Sequence, residues 1–359
     1  MATIPKDRFR QLLAQIRQKY SLSELRAILK EEGLVTAVGW DQLAERFEEG
    51  DAALQIKGEK ILKQIHGDLI LGGTKDVHIF DLQKGEASKI AEVLKDIEPA
   101  SPSYGAIYPL ALSETALREL PYDYELAGKV AYPNGDISLV YCAKRTVEEQ
   151  VRYGTNEVAA AVRDAFAGFD EFIAIRKMDF QVFDVLTVRP KLDRIEILID
   201  YPDRIRGPET SEGRCLSILG RTVTLVPSLN STYEHNKPLN LLACINNLYQ
   251  KKNEGRVSRL LFRSPTDSVK KESMTSSKDL RIETFHAAGV VAVGTITPYD
   301  VTVTWDKLIG VQGTVGVRVG TPISSLSSEE PYVRTARIFD ARSDAAILAV
   351  VNKLVSYST

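Results

Sequence analysis

Over residues 5–19, PKDRFRQLLAQIRQK, the apolar positions Phe9, Leu12, Leu13 and Ile16 recur at the spacing of one helix face, and Pro5 suits a first helical turn. Ser21-Leu-Ser-Glu24 reads as a capping box that opens a second helix carrying Leu22, Leu25, Ile28 and Leu29, with Gly33 as its stop. A third helix carries Trp40, Leu43, Ala44 and Phe47 and stops at Gly50; a fourth carries Leu54, Ile61, Leu62 and Ile65. Four short amphipathic helices with tight connections predict a small bundle over residues 1–68.

The period then changes. Leu69–Leu71 and Val77–Phe80 read as strands, and Glu86–Ile97 as a helix followed by a linker over Glu98–Gly105. Ser113–Leu120 is a short helix capped by Ser113. Leu126–Tyr132 pairs with Asp136–Ala143 across Pro133-Asn134-Gly135, a strong hairpin signal. An alanine-rich helix is predicted over Asn156–Phe166, then strands Phe180–Val188 and Arg194–Asp200 joined by a turn at Pro190. In the second of these Ile195, Ile197 and Ile199 alternate with Glu196, Leu198 and Asp200, the pattern of a half-buried strand. Residues 201–254 read as mainly helical, with candidates at Glu209–Leu219 and Leu239–Lys251. Strands return at Gly255 and continue through Val315–Val319 and Val333–Phe339. The chain ends in a helix, Ser343–Val355, with Ile347, Leu348, Val351 and Leu354 on one side. This order predicts an α+β fold: an N-terminal small helical bundle followed by mixed, mainly antiparallel sheet domains with packed helices. The divisions fall at residues 1–68, 69–205 and 206–359, the last a helical connection plus a strand-rich domain.

The bundle resembles, in size and rhythm, the death-fold and other small helical interaction modules. That resemblance implies recruitment of a protein partner through residues 1–68, although a fold does not fix a function.

Composition narrows the classes. With 359 residues, 44% apolar and 26% charged, the chain is long enough for two or three domains with real cores. A net charge of −2 argues against coating a polyanion or a membrane with the whole surface, so any electrostatic binding must come from a local patch. The opening MATIPKDRFRQ has no apolar core of a secretory signal, and no stretch reaches the roughly 18 to 20 apolar residues of a bilayer span. Cys142, Cys215 and Cys244 lie far apart with no C-x-x-C pair, which fits free thiols in a reducing cytoplasm and predicts no structural zinc. No cofactor is expected.

The local patch is present. From Lys251 to Arg281 nine Lys/Arg face four acids. In an extended Val257–Arg263, Val257, Arg259, Leu261 and Arg263 point one way and Ser258, Leu260 and Phe262 the other. Lys270 and Lys271 follow the loop Ser264–Ser268, and Arg281 is placed in the next strand. Arg256, Arg259, Arg263, Lys270, Lys271 and Arg281 are therefore expected to form one positive surface for a nucleic acid, DNA or RNA. The competing reading is a sheet edge protected by charge against aggregation.

Enzymatic signals are sparse. Asp184, Glu196 and Asp200 could converge on one face and hold Mg²⁺, against the plainer reading of solvated acids on an outer face. His235 is read as a loop residue and His286 as a strand-end residue, and neither has a nucleophile motif beside it. There is no G-x-S-x-G, Walker loop or H-E-x-x-H, and Gly310–Gly320 is not a dinucleotide fingerprint. The sequence thus points first to a non-enzymatic nucleic-acid-binding protein, next to an adaptor acting through the head, and third to a metal-dependent nuclease.

Overall fold

The structure is a computed structural model and describes residues 7–17, 20–200, 210–230, 237–311 and 313–359. Four helices come first: α1 (Asp7–Arg17), α2 (Leu22–Glu31), α3 (Trp40–Glu48) and α4 (Ala52–Leu71). Their inward faces, Phe9, Leu12, Ile16, Leu25, Leu29, Leu43, Phe47 and Leu62 among them, form one core, with the rings of Phe9 and Phe47 stacked at 5.1 Å. The capping box closes as the spacing requires. The Ser21 amide donates to Glu24 Oε2 at 2.9 Å and the Glu24 amide to Ser21 Oγ at 3.3 Å.

Leu69–Leu71 is not a strand. Helix α4 continues through Leu71, because Leu62, Ile65, Leu69 and Ile70 keep helical spacing and each finds a core. Leu69 belongs to the head's core, whereas Ile70 and Leu71 belong to the core beneath the sheet. One helix thus ties the two together. Leu110 from beyond the head completes the head's core, and Arg342 pairs with Glu24 and lies over the Tyr20 ring. At the joint, a Cβ on Gly72 would stand 2.7 Å from the Ala341 carbonyl oxygen, and Gly73 has φ +76, so the helix-to-strand corner requires glycine at both positions.

The remaining elements follow in the order β1 (Gly73–Asp81), α5 (Glu86–Lys95), α6 (Glu114–Arg118), β2 (Glu125–Ala131), β3 (Ile137–Gly154), α7 (Ala160–Ala165), β4 (Glu171–Arg189), β5 (Arg194–Asp200), α8 (Ser211–Leu225), α9 (Leu242–Gln250), β6 (Arg256–Arg263), β7 (Val269–Ser273), α10 (Thr284–Val293), β8 (Thr297–Trp305), β9 (Val315–Gly320), β10 (Ala336–Ala341) and α11 (Asp344–Tyr357). The fold is α+β. Among the described residues the strands make one ten-stranded sheet in the order β2-β3-β4-β5-β1-β10-β9-β8-β6-β7, and every pairing in it is antiparallel. Strand β1 joins the two halves: it pairs with β5 on one side and β10 on the other, so strands from residues 69–205 and from 206–359 share a single sheet.

One face of this sheet is buried on both halves, up to the exposed edge strand β7. Val185 and Leu198 on one half and Val257, Val303 and Val317 on the other share a core with residues of α4, α9 and α11. Among the described residues, helices cover the opposite face on one half only. There α5 and α8 supply Ile90, Leu94, Ile218 and Leu219 against Leu139, Leu186, Ile195 and Ile197.

Three expectations change as a result. β5 is buried at every position, because both of its faces are packed. Arg281 lies in a 3-10 turn over Leu280–Ile282, and His286 lies in helix α10. That helix hides behind a β-branched stretch, but it is capped by Glu283, whose carboxylate accepts from the His286 amide at 2.8 Å. Finally, β3 and β4 run well past the expected hairpin, and only Ala160–Ala165 of the predicted Asn156–Phe166 helix is α-helical.

Candidate nucleic-acid interface

The uncovered half-face belongs to β10, β9, β8, β6 and β7. Register fixes which side chains it carries. Ser273 of β7 lies opposite Arg259, Arg259 opposite Thr302, Thr302 opposite Arg318, Arg318 opposite Arg337, and Arg337 opposite Asp76 of β1. Three arginines from three strands therefore stand in one row across the sheet, on the face away from Val257, Val301, Val317 and Ile338. Arg256 lies opposite Thr304 and shares the face with Arg259 and Arg263, while Lys271 lies opposite Leu261 on the same side.

Carboxylates hold the row in place without burying it. Asp300 takes Arg318 Nη2 at 2.6 Å and Arg259 Nη1 at 2.9 Å, so one acid bridges two cations. Asp76 takes Arg337 Nε at 2.8 Å. Arg256 meets Asp306 at 3.1 Å, and Arg263 meets Asp267 only at 3.5 Å. Asp300 can lie flat across β9 because its cross-strand neighbour is Gly320, where a Cβ would stand 2.6 Å from the Asp300 Cγ. The Arg259, Arg337 and Arg318 side chains remain 25%, 30% and 42% exposed. Six cations (Arg256, Arg259, Arg263, Lys271, Arg318, Arg337) meet four carboxylates here, which leaves the face positive.

The six residues singled out in the sequence do not all come together. Arg256, Arg259, Arg263 and Lys271 share the open face. Lys270 lies opposite Phe262 and points to the other side, the side of His286 and α10, because adjacent strand residues alternate. Arg281 is buried: its guanidinium donates to the Lys251 and Gly255 carbonyls at 2.7 and 2.6 Å and pairs with Asp279 at 2.6 Å, so it fastens the turn before β6. Sequence reasoning missed Arg318 and Arg337. Their signal was the polar position in V-G-V-R-V-G and in A-R-I-F, each opposite a buried alternation.

The other candidate chemistry is tied up inside the protein. Asp184 lies opposite Tyr141 on the face covered by α5 and α8, whereas Glu196 and Asp200 lie on the other face, so the three acids cannot converge. They are buried rather than solvated, because both faces of this half are packed. Asp184 holds Arg214 at 2.6 Å, Glu196 holds Arg189 at 2.9 Å and Arg194 at 2.7 Å, and Asp200 holds Lys75 at 3.3 Å. No group of three His, Cys, Asp or Glu that could hold a metal occurs among the described residues. Cys215 and Cys244 belong to cores on opposite sides of the sheet. Burial pushes the Cys215 thiol well up and that of Cys244 up to about 12, which keeps both protonated. His286 is buried, with Nδ1 2.6 Å from Glu272 and Nε2 3.0 Å from the Tyr249 hydroxyl. His235 lies outside the described residues. Among them, no helix is long and apolar enough to cross a membrane. Compared with known proteins, the chain matches no family profile and no curated sequence.

Proposed function

We propose that the chain is a non-enzymatic binding protein that holds the phosphate backbone of a nucleic acid on the open half-face of its sheet. The observation that carries this reading is the row Arg259–Arg318–Arg337, three half-buried guanidiniums that reach solvent in lateral register on a face that no described helix covers. Guanidinium forks suit phosphate oxygens, and the solvent-reaching parts of these three guanidiniums can take a phosphate while the buried Asp300 and Asp76 hold them in place. Phosphate contacts of this kind position a strand without reading its sequence, so the protein should bind many sequences alike. The face offers few aromatic platforms, which also favours backbone contact over base stacking.

The test is a titration of labelled single-stranded and duplex oligonucleotides, with and without Mg²⁺. Binding that is lost in the Arg259→Ala/Arg318→Ala double variant supports the proposal. Mg²⁺-dependent cleavage would move the protein to the nuclease class. Absence of binding to any oligonucleotide would favour the adaptor reading, for which the head's exposed Val38 and Ile56 are the apolar handles among its described residues.

A further inference from the structure

Strands β3 and β4 leave the sheet. β2 accompanies β3 only as far as Cys142, and β5 accompanies β4 only from Val185 onward. From Thr146↔Asp179 to Gly154↔Glu171, nine residue pairs, the two strands pair only with each other among the described residues. At about 3.4 Å per residue this arm extends for roughly 27 Å. An isolated two-stranded hairpin is marginal in water, so an arm of this length needs cover.

The two faces of the arm differ. Phe172 lies on the face with Tyr153, where Phe166 from the tip packs against it, ring centroids 6.3 Å apart. The other face has no such cover: Ile173 and Ile175 are 51% and 58% exposed at its centre. Along β4 that face reads Glu171, Ile173, Ile175, Lys177, with a carboxylate at one end, an ammonium at the other and two isoleucines between. This pattern is its own complement when reversed.

We propose that the open face of the arm packs on the same face of a second copy of this chain, antiparallel, about a two-fold axis that crosses between Ile173 and Ile175. Such an axis lays β4 over its symmetry mate. Ile173 meets Ile175 of the partner copy, and Glu171 meets Lys177 of the partner copy, at both ends by symmetry. On β3 it sets Arg152 over Gln150 of the partner copy and Glu148 over Gly154, so no like charges meet. Nucleic acid is a poor occupant, because residues 146–179 carry seven acids against four bases. Four residue rows on two strands make a small contact against the roughly 800 Å² per side of a standard complex, so the dimer is reversible and concentration-dependent.

Sedimentation velocity on the full chain over a micromolar concentration series tests this. The wild type should pass from 39.8 kDa towards twice that mass. Ile173→Asp/Ile175→Asp should stay monomeric with an unchanged melting temperature, since neither side chain belongs to a core of its own chain. Within each arm Glu171 pairs with Arg152 at 3.3 Å and Lys177 with Glu148 at 3.6 Å. Lys177→Glu and Glu171→Lys should each weaken dimerisation about tenfold by setting like charges opposite one another, and the combined Glu171→Lys/Lys177→Glu chain, with Arg152→Glu and Glu148→Arg to keep the pairs inside the arm, should recover it. A wild type that stays monomeric throughout would overturn the proposal. So would a dimer indifferent to the isoleucine changes, or a combined swap that fails to restore what the single reversals lose.

Discussion

The two halves of the sheet's second face carry different strand sequences and end in opposite physical states: Leu139, Leu186, Ile195 and Ile197 on one, Arg259, Thr302, Arg318 and Arg337 on the other. On the half under α5 and α8, the arginine that meets the face from α8 is sealed: Arg214 is 4% exposed and pairs with the buried Asp184 at 2.6 Å. On the half built from β10, β9, β8, β6 and β7, Arg259, Arg318 and Arg337 lie under solvent, held by Asp300 and Asp76. Both halves pair arginine with aspartate at hydrogen-bonding distance. The aspartates are buried on both halves; what the covering helix changes is the arginine, sealed in one and reaching solvent in the other.

The largest effect should therefore come from the sealed half. Arg214→Ala leaves the Asp184 carboxylate buried without its cation, which costs about 3–5 kcal/mol. Urea denaturation should show a loss on that scale, and a loss under 1 kcal/mol would mean that water reaches this half too. Next in size is acid. His78 sits at the seam between the halves, 1% exposed, with Nε2 3.0 Å from the Ser211 hydroxyl. Burial lowers its pKa from 6.5 to about 4. The folded state holds the imidazole neutral while the unfolded chain protonates near 6.5. Stability is thus fully present above pH 6.5 and is lost as pH falls towards 4, by about 3 kcal/mol over the whole window. Unfolding midpoints measured across that range should fall in the wild type and fall less in His78→Gln. The smallest stability effect should come from the open half: Arg318→Ala should change stability by about 0–1 kcal/mol while still weakening oligonucleotide binding.

The same contrast explains what could be read in the sequence. Local structure was legible. Phe9, Leu12, Leu13 and Ile16 are all buried as their spacing predicts, Ser21 and Glu24 close their box, and Gly135 turns the β2–β3 hairpin at φ +97. So was the shared face of Arg259 and Arg263, but Val257, expected beside them, turns into the core because a bulge between Val257 and Arg259 interrupts the alternation. What alternation cannot show is whether a polar face is covered, because that depends on elements far away in the chain. Glu196 and Asp200 look like solvated positions until β1 and α11 bring Lys75 near Asp200 and Asp344 to Arg189, the cation of Glu196. Arg318 and Arg337 look unremarkable one strand at a time. They become a row only when β9 and β10 align, and β10 reaches β1 across more than two hundred residues of chain. Arg281 looked like a surface cation because its carbonyl partners, Lys251 and Gly255, carry no sequence signal.

The central claim is that the open half-face takes phosphates on guanidiniums that the buried Asp300 and Asp76 hold in place. The direct measurement is the salt dependence of duplex binding by the wild type and by the Arg259→Ala/Arg318→Ala/Arg337→Ala variant. With about four cations engaged, log K against log salt should have a slope of roughly −3 to −4 for the wild type. The variant takes the arginines from the buried Asp300 and Asp76 and should be less stable, so it is compared at a temperature where circular dichroism shows it folded. There it should bind more weakly on every sequence and have a slope flatter by about two to three units. A variant that binds with the wild-type affinity and slope would contradict the account and leave this face as a charged surface only.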